Sequence, residues 1–419
     1  MPPFSFIHTA DLHLDSPFST LARESTDLSS IMRSATFNSF ENIIRLCIEK
    51  RVDFLVIAGD IFDGADRGLR AQVKFRDGLK RLDDAGIHSF IAHGNHDPLD
   101  SWSTSLDWPS RVHLFPDHIE TVPITRNHEL LANIQGISYP KGNERRNLAK
   151  LFNKTGPDFH IGLLHANAGS NTGHEPYAPC SLEDLRKGGM DYWALGHVHT
   201  RRRLSDSGPF ILYPGNTQGR NINESGKRGC YLVRVDEEGG INAEFFPTDL
   251  VRWYSVNIQV DTLESEQDLI NSLNKTCEDI SINGLGRTSI VRIILEGNSP
   301  LAKMLTDANI IKDLLEITRE NGILFSPQVW IEKIESRARP PFDISSLMKN
   351  RDFVGELLRL SKELSEDDHF EEIIEDDISI LFNDPKAHRF LKPPNRDRLK
   401  ELLKDAVMIC LAELEVDEK

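Results

Sequence analysis

The sequence predicts an α/β protein, with helices layered against one or two sheets, and three observations carry that prediction. Short apolar runs alternate with longer stretches of helical spacing through residue 250. Most of those apolar runs lead straight into a glycine or an aspartate, the residues that turn a chain at a strand end. Five of them also end in a polar group: "HTADLH", "AGDIFD", "HGNHD", "LLHAN" and "LGHVH".

Taken in order, "FSFIH" reads as a short buried strand. Residues 30–51 have helical spacing through Ile31, Phe37, Phe40, Ile44 and Ile48, with Ser29 or Ser30 as cap. "DFLVIAG" is a second strand, and residues 67–85 suit a second helix closed by Gly86. "HSFIAHG", "FHIGLLH", "MDYWALGH", "FILYPGN" and "RGCYLVRVD" follow as further strands. Beyond Val251, strand and helix spacing alternates as a small β-α-β-α-β unit. "RARPPFD" at 337–343 reads as a linker, because two prolines continue neither a strand nor a helix. Two amphipathic helices are expected at 344–382 and 396–416. The expected organisation is therefore 1–250, 251–340 and 341–419. The apolar face formed by Leu357, Leu358, Leu360, Leu364, Phe370, Ile373 and Ile374 would pack on the main domain or receive a partner; the spacing leaves both open.

Composition narrows the class. Hydrophobic residues at 39% and charged residues at 27% describe a globular chain, and no apolar run approaches the ~20 residues that span a bilayer. The start "MPPFSFIHTADLH" lacks the pattern of a signal peptide, so the cytoplasm is the expected compartment. Five cysteines stand singly, which argues against a disulfide framework and a thiolate zinc site. The net charge of −16 is unevenly spread: residues 341–419 hold 12 Lys+Arg against 20 Asp+Glu. A local basic cluster at Arg201, Arg202 and Arg203 survives in the remainder, so a polyanionic ligand is not excluded.

The strand-end residues carry the chemistry. Asp11 and His13 are spaced i, i+2; Asp60 follows Gly59; Asn95 and His96 follow Gly94; His165 ends a strand; His197 and His199 follow Gly196. Strands of common polarity would gather these groups at one sheet edge, where α/β proteins bind ligands. Carboxylate, imidazole and amide together form an N/O donor set suited to manganese, iron or zinc. Any one of them alone is more often a helix cap, a turn residue or a hydrogen-bonded core histidine.

The ordered set DxH, GD, GNHD, H, GHxH over roughly the first 220 residues resembles the calcineurin-like metallophosphoesterases. That resemblance implies a two-sheet α/β sandwich carrying a small capping domain and C-terminal helices. It also implies two metal ions: Asp11, His13 and His199 at the first, Asn95, His165 and His197 at the second, and Asp60 bridging. Manganese would be the leading candidate, with magnesium, iron and zinc as alternatives. His96 would face the scissile phosphate, Asp97 would orient its other nitrogen, and Asp63 would join them as the third catalytic residue. The words "FIHTADLHLDSPF", "HGNHDPLDSW", "DYWALGHVHTR" and "YPGNTQGR" are most similar to the SbcD-like DNA-repair exonucleases, in their bacterial YhaO-type branch. Membership there implies a DNA nuclease, exonucleolytic with a further single-strand endonuclease activity in view, that works with an SbcC-like SMC-type ATPase through its C-terminal helices, and it admits a homodimer. Arg201 is the expected substrate contact, with Arg202, Arg203, Arg220, Lys227 and Arg228 as further phosphate contacts or simply solvated loop charge. A small-nucleotide or cyclic-nucleotide phosphodiesterase is the alternative enzyme. A scaffold without catalysis is the other class, and it should have lost ligands that this chain retains.

Overall fold

The computed structural model describes residues 1–16, 26–64, 68–101, 106–169, 175–205, 207–342, 344–383 and 394–414. The first half of the chain builds β1 (Phe4–Thr9), α1 (Thr26–Lys50), β2 (Phe54–Ala58), α2 (Leu69–Asp84), β3 (His88–Ala92) and β4 (Val112–Leu114). It continues through β5 (Glu120–Arg126), β6 (Glu129–Gly136), β7 (His160–His165), α3 (Leu182–Lys187), β8 (Tyr192–Gly196), β9 (Arg202–Arg203) and β10 (Phe210–Tyr213). β11 (Gly229–Val235) and β12 (Ile241–Pro247) then return to the first sheet.

Two six-stranded sheets result, in the orders β12-β11-β1-β2-β3-β4 and β5-β6-β7-β8-β10-β9. β1, β2 and β3 run parallel, in the register Phe6↔Phe54 and Phe54↔His88. β6, β7 and β8 do the same in the second sheet. The sequence expectation of an α/β protein with two packed sheets is thus the observed fold.

Side-chain alternation explains why the sheets stack. Phe54, Val56 and Ala58 of β2 point into a core shared with Ile161 and Leu163 of β7 and with Tyr192 and Ala194 of β8. Leu55 and Ile57 point the other way, into a cluster with Phe37, Phe40 and Ile44 of α1 and Phe75 and Leu79 of α2. A strand buried on both faces reads as a continuous apolar run, which is why "FLVIA" does not alternate. The outer face of the second sheet is covered in the same manner, with Leu164, Trp193, Leu195 and Ile211 packed on Leu148, Phe152 and Leu185. Each fully buried Phe, Leu or Ile contributes about 1.5–3 kcal/mol. Across the inter-sheet core the Phe6 ring stacks on Phe54 at 4.9 Å and meets Tyr192 edge-on at 5.2 Å.

The remainder forms a third sheet, β13-β14-β15, from β13 (Val251–Gln259), β14 (Thr288–Asn298) and β15 (Val329–Arg339), with α4 (Glu266–Asn283) and α5 (Ala308–Ile323) between the strands. The chain divides into two compact units: residues 1–255 with 277–292 and 322–332, and residues 256–276 with 293–321 and 333–419. The C-terminal stretch differs from the expected pair of helices. Residues 344–382 form α6 (Ile344–Leu347), α7 (Phe353–Glu366) and the start of α8 (Phe370–Asn383), followed by α9 (Arg396–Glu413). Asp352 caps α7 by accepting from Gly355 N–H at 2.8 Å, and Asp367 ends it in extended backbone, so local capping breaks a run whose apolar spacing continues. Leu347, Leu358 and Leu411 are the buried centre of this group. Among the described residues no helix is long and apolar enough to cross a membrane.

Candidate metal centre

Parallel strands deliver their C-terminal ends to one edge, and the loops that follow β1, β2, β3, β7 and β8 carry the polar groups. The backbone there is unusual. Asp11, His13, Asp60 and His197 adopt φ of +50°, +42°, +52° and +99°, in the left-handed region that non-glycine residues avoid. Such conformations persist where surrounding contacts over-determine them, typically at functional sites. Two glycines show how tight the junction is. A Cβ on Gly94 would collide with Asp60, and one on Gly196 would collide with the Ala58 carbonyl at the end of β2.

These turns bring donors from distant parts of the chain together. Asp11, His13 and His199 place ligand atoms within 4.8 Å of one another, and so do Asp11, Asp60 and His165. Asn95 joins the second group, with Oδ1 3.0 Å from His165 Nε2. Asp60 Oδ2 lies 3.4 Å from His165 Nε2 and 3.9 Å from His13 Nε2, so it spans both groups. Asp11 also belongs to both, although the sequence suggested Asp60 as the sole bridge. His197 falls in neither cluster: its backbone N–H donates to Asp11 and its ring meets His165 edge-on at 5.2 Å.

Hydrogen bonds at the rear of three imidazoles decide which nitrogen faces inward. His165 Nδ1 donates to the Ala58 carbonyl at 2.8 Å, His199 Nδ1 donates to Glu224 at 2.7 Å, and His197 Nε2 donates to the Glu175 carbonyl at 2.8 Å. Nε2 of His165 and of His199 is therefore the nitrogen turned toward the other donors. His199 Nε2 faces His13 Nε2 at 3.2 Å. Imidazole nitrogens, carboxylate oxygens and an amide oxygen make a cage, and this donor set fits divalent cations once the His165 Nε2 proton is surrendered.

Electrostatics tell the same story. Burial and the neighbouring Asp60 push the Asp11 carboxyl up, to about 6 against the opposing pull of His199 and His165. Burial opposes ionisation of Asp60 too, but His165, His13 and His96 hold it well below the usual carboxylate range. Burial alone would lower His165, yet the Asp60 and Asp11 carboxylates raise it to about 9. His13 is depressed to about 4 by burial and by the Arg220 guanidinium.

The outer groups correct a sequence expectation. Asp97 does not orient His96. It is fully buried, and its oxygens accept from Gly94 N–H and Ile61 N–H, both at 2.8 Å. It ties the β2 and β3 loops together and touches no reacting group. The group beside His96 Nδ1 is Asp63, whose Oδ1 is 3.3 Å away. The Arg201 guanidinium lies 4.2 Å above the Phe245 ring, while Arg220 stands against Asp63 and His199. Arg228 is buried, donating to the His199, Glu224 and Ser225 carbonyls, so it braces the site from behind. Glu224 was not anticipated. It accepts from His199 Nδ1, Asn216 Nδ2 at 2.7 Å and Arg220 N–H at 2.8 Å, which makes it the positioning carboxylate of His199. Its only sequence signal is an acid after "YPGNTQGR", which nothing in the spacing separates from a surface glutamate.

This fold and this cage of strand-end donors define a metallophosphoesterase. Residues 4–201 match the calcineurin-like phosphoesterase family, and residues 253–339 match the metallophosphoesterase YhaO middle domain. The metallophosphoesterase YhaO of Bacillus subtilis is 32% identical over 418 residues, covering 98% of each chain. The chain belongs to the calcineurin-like metallophosphoesterase family. More distant similarity links it to the DNA double-strand break repair protein Mre11 of Sulfurisphaera tokodaii, 26% identical over 82% of this chain and 84% of the relative. The protein of the same name from Sulfolobus acidocaldarius is 25% identical, over 74% of this chain and 80% of the relative.

Two outcomes follow for metal loading. His165 keeps its proton below about 9 in the metal-free site, and a ligand must surrender it. Titrating manganese into metal-free protein at pH 7.5 should release protons, seen as a buffer-dependent calorimetric heat, and affinity should rise from pH 6.5 to pH 8.5. Glu224→Gln should weaken metal binding about 10–100-fold, measured by competition with a chromogenic chelator.

Proposed function

We propose that this protein is a two-metal DNA nuclease acting in DNA repair, an exonuclease in the first place. The observation that carries the reading is the donor cage, with the His165 and His199 rings fixed by bonds to Ala58 and Glu224. The similarity to the Mre11 repair proteins supports DNA as the substrate. Asp11, His13 and His199 would hold one ion, and Asn95, His165 and His197 the other, with Asp60 shared. Two divalent ions, manganese first, would supply an acidified water and neutralise charge on the phosphate oxygens.

The chain's own contribution is proton placement. The Asp63 carboxylate beside His96 Nδ1 favours the tautomer with its proton on that nitrogen when the ring is neutral. When the ring is protonated, Nε2 is the position that hands a proton to the departing sugar oxygen as the P–O bond breaks. His96 is part-exposed, with 41% of its side chain accessible, whereas Asp63 is at 19%. The acid can thus reach a ligand while its partner stays fixed: Asp63 also accepts from the Ser16 hydroxyl. Burial would push Asp63 up, but His13, Ser16 and Arg220 hold it ionised.

The partner reading adds an SbcC-like SMC-type ATPase bound through residues 341–419. Exposed apolar side chains at Phe353, Leu360, Ile373, Leu402 and Ile409 support it, because scattered polar surface would suffice for a tail without a partner.

The manganese-loaded protein should shorten end-labelled duplex or single-stranded DNA. Retention of two metals with hydrolysis of bis-p-nitrophenyl phosphate but no cleavage of DNA, alone or with the ATPase, would reassign it to small diesters. His96→Ala should keep both metals and lose about 10²–10⁴ of turnover. Removal of residues 341–419 should leave metal stoichiometry intact and abolish co-elution with the ATPase; persistent co-elution would move the partner surface elsewhere.

A further inference from the structure

Two arginines of this protein pair with carboxylates at short range and through both arms. Arg252 grips Asp249 at 2.7 and 2.9 Å, and Arg292 grips Glu332 at 2.8 and 2.7 Å. These are satisfied, two-pronged pairs of the kind that hold a fold together. Arg220, at the metal centre, is bound quite differently.

Its Nη1 is 3.3 Å from Asp63 Oδ1, and its Nη2 is 3.3 Å from Glu224 Oε1 and 3.3 Å from His199 Nδ1. Both carboxylate contacts are long for a charge-assisted bond and go to atoms already engaged, and His199 Nδ1, which donates to Glu224, cannot accept from the guanidinium. Asp63 Oδ1 also faces His13 Nδ1 at 3.2 Å and His96 Nδ1 at 3.3 Å. Glu224 Oε1 already accepts from His199 at 2.7 Å. Arg220 Nε is buried without a hydrogen-bond partner among the described residues. The guanidinium is therefore held in place by two carboxylates without being satisfied by either. At 17% side-chain exposure it is shielded yet still reachable.

Placement completes the picture. Arg220 shares one carboxylate oxygen with His96, the proton donor, and lies against His199, a metal ligand. A planar fork with unused donors, beside an acid and a cation cage, matches the non-bridging oxygens of a phosphate. A lysine there would be a point charge, and Arg220 lacks the short, two-pronged geometry of Arg252. We propose that Arg220 is a phosphate ligand of the active site, and that Asp63 positions it and His96 together as one unit. On binding, the phosphate oxygens would take the fork from Asp63 and Glu224. Asp63 then keeps His96, so arrival of the substrate leaves the acid in place. The inference rests on the phosphoesterase reading of this site but not on DNA being the substrate.

The test uses full-length, manganese-loaded protein and inorganic phosphate as probe, followed by calorimetry. Arg220→Gln should bind phosphate about tenfold more weakly or worse, the loss expected for one charged hydrogen-bond fork. Arg220→Lys should fall between it and the parent protein. With bis-p-nitrophenyl phosphate, Arg220→Gln should raise KM more than it lowers kcat, while His96→Ala should do the reverse. Metal stoichiometry, read alongside, should stay at two in both Arg220 variants. Equal phosphate affinity in Arg220→Gln and the parent protein would overturn the proposal. So would absence of phosphate binding in the parent, or loss of metal in both Arg220 variants, which would make Arg220 a brace of the His199–Glu224 pair. Phosphate binding that depends on Arg220 in a protein that cuts no DNA would sink the nuclease reading and leave this one standing.

Discussion

The Ala58 carbonyl at the end of β2 is the contact on which the site depends. It accepts the Nδ1 proton of His165 from the second sheet, and it sits where a side chain on Gly196 would otherwise be. One peptide oxygen thus joins the ends of β2, β7 and β8. It sets the orientation of one imidazole and lets the turn carrying His197 and His199 come within reach of Asp11. Neither contact would form if the sheets were offset by one residue, because the two-residue period would turn Val56, Ala58 and their facing side chains out of the shared core. Packing of the hydrophobic sandwich is therefore also alignment of the donors.

Burial makes the same junction electrostatically demanding. Asp11, Asp60, His13 and His165 are all essentially removed from solvent, and isolated charges there would be costly. The metal-free protein answers with internal pairing, a protonated His165 against Asp60 and a neutral His13 beside Arg220. The same nitrogens and oxygens would serve as ligands to a cation that displaces the proton. Carboxylates further out, Glu224 behind His199 and Asp97 behind Gly94 and Ile61, stay engaged throughout and supply rigidity.

How much of this the sequence discloses follows from what each residue depends on. The strand-end donors are legible because they lie next to their own strands, and strand polarity is a local property. The paired sheets are half legible. β2 and β8 read as apolar runs, but β5 alternates with mostly exposed residues and β4 has three residues, so neither stands out from loop. Asp97 was placed near His96 by adjacency, whereas its carboxylate turns inward to backbone amides; nothing in a sequence reports that rotation. Glu224 and Arg220 reach the site because a single 3-10 turn at Ile222–Glu224, after β10, brings Glu224 against His199. Arg201 follows His199 more closely, yet the Phe245 ring offers its guanidinium an aromatic face.

In a phosphoesterase this acidic, charge has to be counted at the site. Asp11, Asp60, Asp63 and Glu224 stand against the Arg220 guanidinium and a protonated His165, so the metal-free cluster carries −2. Two divalent cations that displace that proton would bring it to +1. The metal-free centre would then repel a phosphate and the loaded centre attract one, with the change confined to a few ångströms of low-dielectric surroundings. On that basis the overall −16 matters little, because half of it lies in residues 341–419 and screening at physiological ionic strength removes exposed charges beyond about 8 Å. Arg220 gains its importance here, as a permanent cation in contact with Asp63 and Glu224 and held tightly by neither.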